Sequence, residues 1–423
     1  MWLRDSANQI LSYAPVLKAS SSDDSLAALF RGVINAQSRY IKISPYCHAY
    51  QPFPESKLQL QRNGAFHLNT VFPAYNPAKT FDCKWELDSL ASFLQLSATY
   101  YNITGDIDPY EKYTWLETVE IILDAVDAMR VGTYSPDGQV IEPGYKMYGQ
   151  TNRATETTSN NGHGNPVTSH TGMIRSTFRP SDDATIFQFL IPSNMAFATS
   201  LNATLPILSA LPPSRGLHNL TTRISTMSAE IRNGITNHGI VSHPDLGAIY
   251  AFEVDGYGSR NLMDDANTPS LLSAPLSGYV HSRDEVYLNT RLFALSPTNP
   301  YWCQGPHFSG IGGPHTGPMK GWPIASIVRV MTSLDSSGDE VRREVRRLLG
   351  ATEGLGLVHE SVHAWRKGEY TRPWFGWANG LFGEMILVIE REWDGILGES
   401  FQPVMESLGT LGEGEQRSMQ VND

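Results

Sequence analysis

The chain has 423 residues, 41% hydrophobic and 18% charged, which gives apolar material for a sizeable core and does not fit a disordered or fibrous chain. A net charge of −11 argues against nucleic acid as a partner, because phosphate binding needs clustered Lys and Arg. No uninterrupted apolar run approaches the roughly 18 residues of a membrane helix, so no membrane partner is expected, and a neutral or weakly charged ligand suits the composition best.

The chain starts Met1-Trp2-Leu3-Arg4-Asp5, with neither a basic leader nor an apolar signal segment. Arg4 and Asp5 could clamp vicinal hydroxyls, and a plain structural ion pair is an equal reading. Apolar residues then recur at helical spacing through Leu26, Leu29, Phe30, Val33 and Ile34. The same periodicity predicts helices over 85–101, around Leu116, Val119, Leu123 and Val126, over 184–210, and from Leu217 through Ile224 to Ile235. Further helices are expected over 283–295, 321–334, 339–350 and 377–393, with a short strand or two in 240–254.

Between these lie long loops rich in Gly, Pro, Asn and aromatics, over 44–82, 143–182, 254–281 and 301–320; loops of such length in a compact domain are usually functional. Helices alternating with such loops predict a mainly α chain whose helices pair into an α/α toroid, with a loop-lined pocket at one end. A single domain over 1–423 is expected, with 152–168 a mobile surface segment and about 409–423 a loose tail.

Cys47, Cys83 and Cys303 cannot all pair, which leaves room for one bridge and excludes a disulfide scaffold. The sequons at Asn102, Asn202 and Asn219 are compatible with a secretory pathway without fixing the compartment. The oligomeric state is not legible.

Four segments could carry chemistry. Phe178-Arg179-Pro180-Ser181-Asp182-Asp183 sets two carboxylates beside a guanidinium, an arrangement that can keep one acid protonated near neutral pH; the plainer reading is Ser181 as an N-cap. Glu253 to Asn267 packs Asp255, Asp264 and Asp265 into a Gly-rich run suited to hydroxyl-rich ligands, or else opens a helix with Thr268 as N-cap and Pro269 at its first position. His359-Glu360-Ser361-Val362-His363 matches the zinc-peptidase pattern H-E-x-x-H, with Glu384 downstream as a third ligand to be sought, but flanking glycines leave a short window for the helix that zinc needs. Thr371-Arg372-Pro373-Trp374-Phe375-Gly376-Trp377 puts aromatics and an arginine before an apolar helix, as a sugar platform or as part of a buried helix.

Taken in order, Met1 to Ser6, Ser44 to Ala49, Lys84 to Ser89, Phe178 to Asp183, Ile191 to Asn194, Asp255 to Asn267, His359 to Ser361 and Thr371 to Asn379 resemble glycoside hydrolase family 125, the metal-independent exo-α-1,6-mannosidases. The resemblance spans nearly the whole chain. It implies an (α/α)6 toroid of the six-hairpin glycosidase type, no metal or other cofactor, and a mannose-containing oligosaccharide or glycan as partner. It further implies an inverting mechanism with Glu360 as general base and Asp182 as general acid, Asp183 being the fallback acid. Arg4, Asp5, Arg179, Asp183, Asp264, Asp265 and Arg372 would hold the terminal mannose, with Trp85 and Trp374 as apolar faces. In relatives more of the domain precedes the Trp-Leu-Arg-Asp motif, so the resemblance carries the expectation of a truncated chain lacking an opening helix. A zinc peptidase built on His359 and His363, and a carbohydrate-binding fragment without turnover, are the alternatives.

Overall fold

The computed structural model describes residues 1–213, 217–335, 337–399 and 401; the expected tail over 409–423 lies outside them. Three helices anchor one side of the molecule: α1 (Leu3–Leu11), α2 (Leu26–Ile43) and α3 (Leu87–Thr104). Ser25 caps α2 by accepting the Ala28 N–H, and that helix buries one face through Ala27, Phe30, Ile34 and Ile41. By contrast α3 is buried on every side, through small residues such as Ser89, Ala91 and Ser97 as well as Leu90, Phe93 and Leu94. A helix buried all round lies inside another layer.

This alternation continues along the chain. After the short α4 (Asp108–Lys112) comes α5 (Trp115–Ala128), one-sided and packed on α2. Next comes α6 (Ile191–Ala203), buried through Leu201 apart from Thr199 and packed on α3; then the short α7 (Leu205–Ala210) and the one-sided α8 (His218–Gly234), which covers α6. Beyond them α9 (Glu285–Ala294) packs on a hairpin of Ile240–His243 with Gly247–Tyr250. The chain closes with the inner α10 (Pro323–Met331), the strongly amphipathic α11 (Asp339–Gly350) outside it, and α12 (Gly376–Glu392), which packs on both α10 and α1.

The inner members surround one lumen of about 230 Å³, lined by Asn8, Gln95, Ala196, Ser273, Val328 and Glu384, each from a different part of the ring. Five of these lie on α1, α3, α6, α10 and α12, and the sixth position is taken by turns over 268–279 where a helix is absent. The toroid expected from the sequence is thus present, with one inner wall built from turns.

Short strands sit directly before the inner helices: Thr80–Asp82 before α3, Phe189–Leu190 before α6, Lys320–Gly321 before α10 and Tyr370–Thr371 before α12. They gather the long loops over the N-terminal ends of the ring. Phe189–Leu190 pairs with Glu253–Val254, and Ser361–His363 lies between Lys320–Gly321 and Tyr370–Thr371, all antiparallel.

Two expectations need correction. Residues 184–190 are not helical: the β-branched and aromatic run Thr185-Ile186-Phe187 feeds a strand, and α6 starts only at Ile191, with Pro192 in its first turn. Thr268-Pro269 opens turns, not a helix. Within residues 152–168, Thr157 Oγ1 accepts the Gly149 N–H at 2.8 Å, Thr158 donates to the Met147 carbonyl, and Val167 is wholly buried.

Candidate active site

At the N-terminal end of the ring lies a second, smaller hollow of about 110 Å³. Its walls come from five places distant in sequence: Trp2, Arg4 and Asp5 at the start of α1; Pro180, Ser181 and Asp182; Asn267; His315 and Trp322; and Glu360, Arg372 and Phe375.

Asp182 reaches the hollow because of its backbone. Phe178 bridges Ala184, the Arg179 N–H donates to Asp183 O at 2.8 Å, and the Asp182 N–H donates back to Arg179 O at 2.9 Å. This tight turn holds Asp182 at φ +67°, in the left-handed region that few non-glycine residues occupy. The turn separates the two neighbouring carboxyls. Asp182 keeps 33% of its side chain exposed to the hollow, whereas Asp183 is buried, accepting from Ser181 Oγ at 3.1 Å and facing His315 Nδ1 at 3.3 Å.

Beneath Asp182 is a polar floor. His48 Nδ1 accepts the Lys84 backbone N–H at 3.1 Å, so the neutral ring carries its proton on Nε2, which stands 3.1 Å from Asp182 Oδ1. Lys84 Nζ donates to the Asp182 carbonyl at 2.8 Å. Burial opposes ionisation of Asp182, but the Lys84 ammonium and the His48 hydrogen bond outweigh it and hold the carboxyl well below the usual range. The neighbouring Glu86 carboxyl goes the other way: burial first, then the Asp182 charge, push it well above its ordinary value against the pull of Arg4.

Glu360 enters from the opposite part of the chain. It stands at the head of the strand Ser361–His363, 7% exposed, with Arg372 Nε 3.0 Å from its Oε1. Arg372 also has a left-handed backbone, φ +54°, and leaves most of its side chain in solvent. Arg4 donates to the Pro180 carbonyl and lies 3.3 Å from Asp88 and 3.5 Å from Asp5, which ties α1 to the Asp182 turn.

His315 links the two sides. Its ring is pushed up by the hydrogen bond to Asp183, against burial, and the charges of Asp183, Asp182 and Glu360 add to this. Asn267 donates Nδ2–H to the Pro180 carbonyl at 3.0 Å and leaves its buried Oδ1 without a partner at the wall of the hollow. His48, Glu86, Asn267, His315, Trp2 and Phe375 did not stand out from the sequence. All of them except His315 nevertheless lay within runs that carried the family resemblance.

Several expected contacts are not at the hollow. Trp85 is 1% exposed, donates Nε1–H to the Arg175 carbonyl at 2.6 Å and packs on Tyr46, so it belongs to the core. Arg179 is buried against Glu253 at 2.6 Å. Asp264 accepts the Leu271 and Leu272 N–H groups at 2.8 and 3.0 Å, and Asp265 accepts the Asn267 N–H at 3.1 Å; both are buried supports behind the wall. Burial pushes the Asp265 carboxyl up to about 6, against Arg179. Trp374 is exposed but outside the lining, where Phe375 and Trp322 stand instead.

The zinc reading is overturned by the local conformation. His359 to His363 runs into a strand, where four residues span about 13 Å, against about 6 Å along a helix, too far for one ion. His359 stacks on Tyr370 at 3.9 Å and meets the Arg372 carbonyl through Nδ1, His363 accepts from Arg366 Nε at 3.1 Å, and Glu384 lines the lumen instead. Among the described residues, His48, Glu86 and Asp182 bring three ligand-type atoms within 4.8 Å of one another. The proton fixed on His48 Nε2 and the adjacent Lys84 ammonium suit a hydrogen-bonded network there and oppose a cation.

The family description for metal-independent α-mannosidases, glycoside hydrolase family 125, matches residues 1–387. The chain is 44% identical over 394 residues to the meiotically up-regulated gene 157 protein of Schizosaccharomyces pombe, covering 92% of this chain and 75% of that protein. A Streptococcus pneumoniae metal-independent α-mannosidase, solved as a non-productive complex with α-1,6-mannobiose, superposes with a TM-score of 0.81 at 32% identity over 92% of this chain and 85% of that one. A bacterial glucoamylase complexed with acarbose shares the fold, with a TM-score of 0.53 at 14% identity over 93% of this chain and 51% of that one.

Proposed function

Because the chain belongs to glycoside hydrolase family 125, the metal-independent α-mannosidases, we propose that it removes terminal α-1,6-linked mannose from oligosaccharides or glycans with inversion, using Asp182 as general acid and Glu360 as general base. One observation carries this reading: carboxyls 178 residues apart in sequence (360 − 182) line the same hollow. Asp182 presents a proton to the glycosidic oxygen as the C–O bond breaks, and Glu360 takes a proton from the water that attacks the anomeric carbon from the other face. Arg372 orients Glu360, and the buried Asp183 sets His315. Arg4, Asp5 and the unpartnered Asn267 Oδ1 are the groups available to the mannose hydroxyls. The substrate class is supported by the α-1,6-mannobiose bound to the S. pneumoniae relative.

The Cys47–Cys83 disulfide and three sequons with exposed asparagines support an oxidising secretory compartment. The catalytic reading is tested by following mannose released from α-1,6-mannobiose, with and without a chelator, by the wild type and by Glu360→Gln. Release that ignores the chelator and falls at least about 10³-fold in the variant, with sugar binding retained, is expected. Near-normal turnover by Glu360→Gln removes the base, and loss of activity with the chelator contradicts metal independence.

A further inference from the structure

The floor beneath Asp182 contains more acid than one proton donor requires. Glu86, just before α3, is 2% exposed; its Oε2 accepts from Ser89 Oγ at 3.2 Å, and its Oε1 is buried with no hydrogen-bond partner. Asp182 Oδ1 and His48 Nε2 are likewise buried, 3.1 Å apart, and neither has a hydrogen-bond partner elsewhere. All three residues meet in one cluster, with the Glu86 carboxyl against that of Asp182. His48 Nε2–H can supply one bond to Asp182 Oδ1, since Nδ1 is already an acceptor. The contact between the two carboxyls still needs a hydrogen, because two carboxylates brought together in so dry a floor disfavour double ionisation.

We propose that Glu86 and Asp182 share one proton, and that Glu86 is the positioning residue that stores it and loads the acid. This rests on the reading of Asp182 as proton donor. Around the pair stand the cations Arg4 and Lys84, with His48 below and His315 across the hollow. Facing them are Asp5 and Asp88 beside Arg4, Asp82 beside Lys84, and Asp183 beside His315. These carboxylates offset the cations, so the pair retains its single proton; burial makes Glu86 the more basic partner.

The steps balance without an outside reagent. The Glu86 O–H bond breaks as an O–H bond forms on Asp182. Because Oδ1 is buried and the side chain is one-third exposed, Asp182 faces the hollow through Oδ2, and rotation of the carboxyl presents the proton there. Asp182 passes that proton to the glycosidic oxygen, which keeps the electron pair of the broken C–O bond. Glu360 meanwhile gains the proton lost by water. Solvent then returns a proton to the pair and removes one from Glu360, so no proton is consumed.

Glu86→Gln keeps a donor beside Asp182 but neither stores a proton nor repels the Asp182 charge, so the basic limb of the kcat/KM profile should move down by at least about one pH unit. Activity on α-1,6-mannobiose should fall about 10²-fold or more, while a dinitrophenyl α-mannoside, whose leaving group needs no proton, should lose less than about 10-fold. Asp182→Asn, measured alongside, separates the two claims. If Asp182→Asn shows no dependence on the leaving group, the assignment of the acid itself fails. If Asp182→Asn shows it but Glu86→Gln slows both substrates equally with the pH profile unmoved, Glu86 is only a structural group and the shared proton is refuted. Should Glu86→Gln not fold, Glu86→Asp carries the test: a lowered basic limb with the same substrate bias upholds the proposal, and an unmoved profile overturns it.

Discussion

Asp182 and Asp183 are adjacent carboxylates with opposite fates, and the backbone between them decides which is which. At φ +67° the chain turns Asp182 to the hollow and leaves Asp183 to hold Ser181 and His315. Trp85 shows the same lesson for aromatics. Its indole is locked in the core by the Arg175 carbonyl, so Trp85→Ala is expected to cost about 3–5 kcal/mol in denaturant unfolding while the KM of the remaining folded enzyme changes less than about 2-fold. A raised KM without loss of stability would return Trp85 to the sugar site. Motifs made the two carboxyls at 182 and 360 legible, because each belongs to a distinctive run. His48, Glu86 and His315 were not legible: a histidine or glutamate carries no sign in sequence of which distant carboxyl it will face. For Trp85 and Trp374, sequence supplied the chemistry of the ring but not its direction.

Among the elements, those with a strong 3.6-residue period were readable, including α2, α5, α8 and α11, because each covers the inner ring with one apolar face. The turns over 268–279 carry no period, yet they take an inner place in the ring. Asp264 stands in for the missing helix there, its carboxylate accepting the N–H groups of Leu271 and Leu272 in a fully buried site. Asp264→Ala leaves both donors unsatisfied and is expected to cost about 2–4 kcal/mol, read as a lower denaturation midpoint at constant m-value. A loss below about 0.5 kcal/mol would mean that the turns hold themselves.

For the whole molecule, the lumen and the hollow lie at different depths of one ring, joined through Asp88, which lines the lumen and pairs with Arg4 at the hollow. Glu384 lines the lumen with no cation paired to it among the described residues, and burial pushes its carboxyl up to about 7. Its ordinary value, 4.5, applies when the chain is unfolded. Between these values the folded state keeps a proton that the unfolded state releases, so this residue lowers stability as pH rises from about 4.5 to 7, with no further change above. Glu384→Gln is therefore expected to match the wild type near pH 4 and exceed it by about 1–3 kcal/mol at pH 8, the lower figure allowing for solvent in the lumen. An equal difference at both pH values would contradict this. Asn102, Asn202 and Asn219 cluster at the C-terminal ends of α3 and α6 and the start of α8, the end of the ring away from the hollow, so glycans there would leave the substrate side open.

The proposed mechanism needs a water activated by Glu360 on one face of the sugar and a proton given by Asp182 on the other. Proton NMR of the first mannose released from α-1,6-mannobiose, recorded before mutarotation, tests this most directly. The β-anomer as first product is the predicted result. The α-anomer as first product would mean that a carboxyl attacks the sugar itself, and would contradict the roles given to both residues.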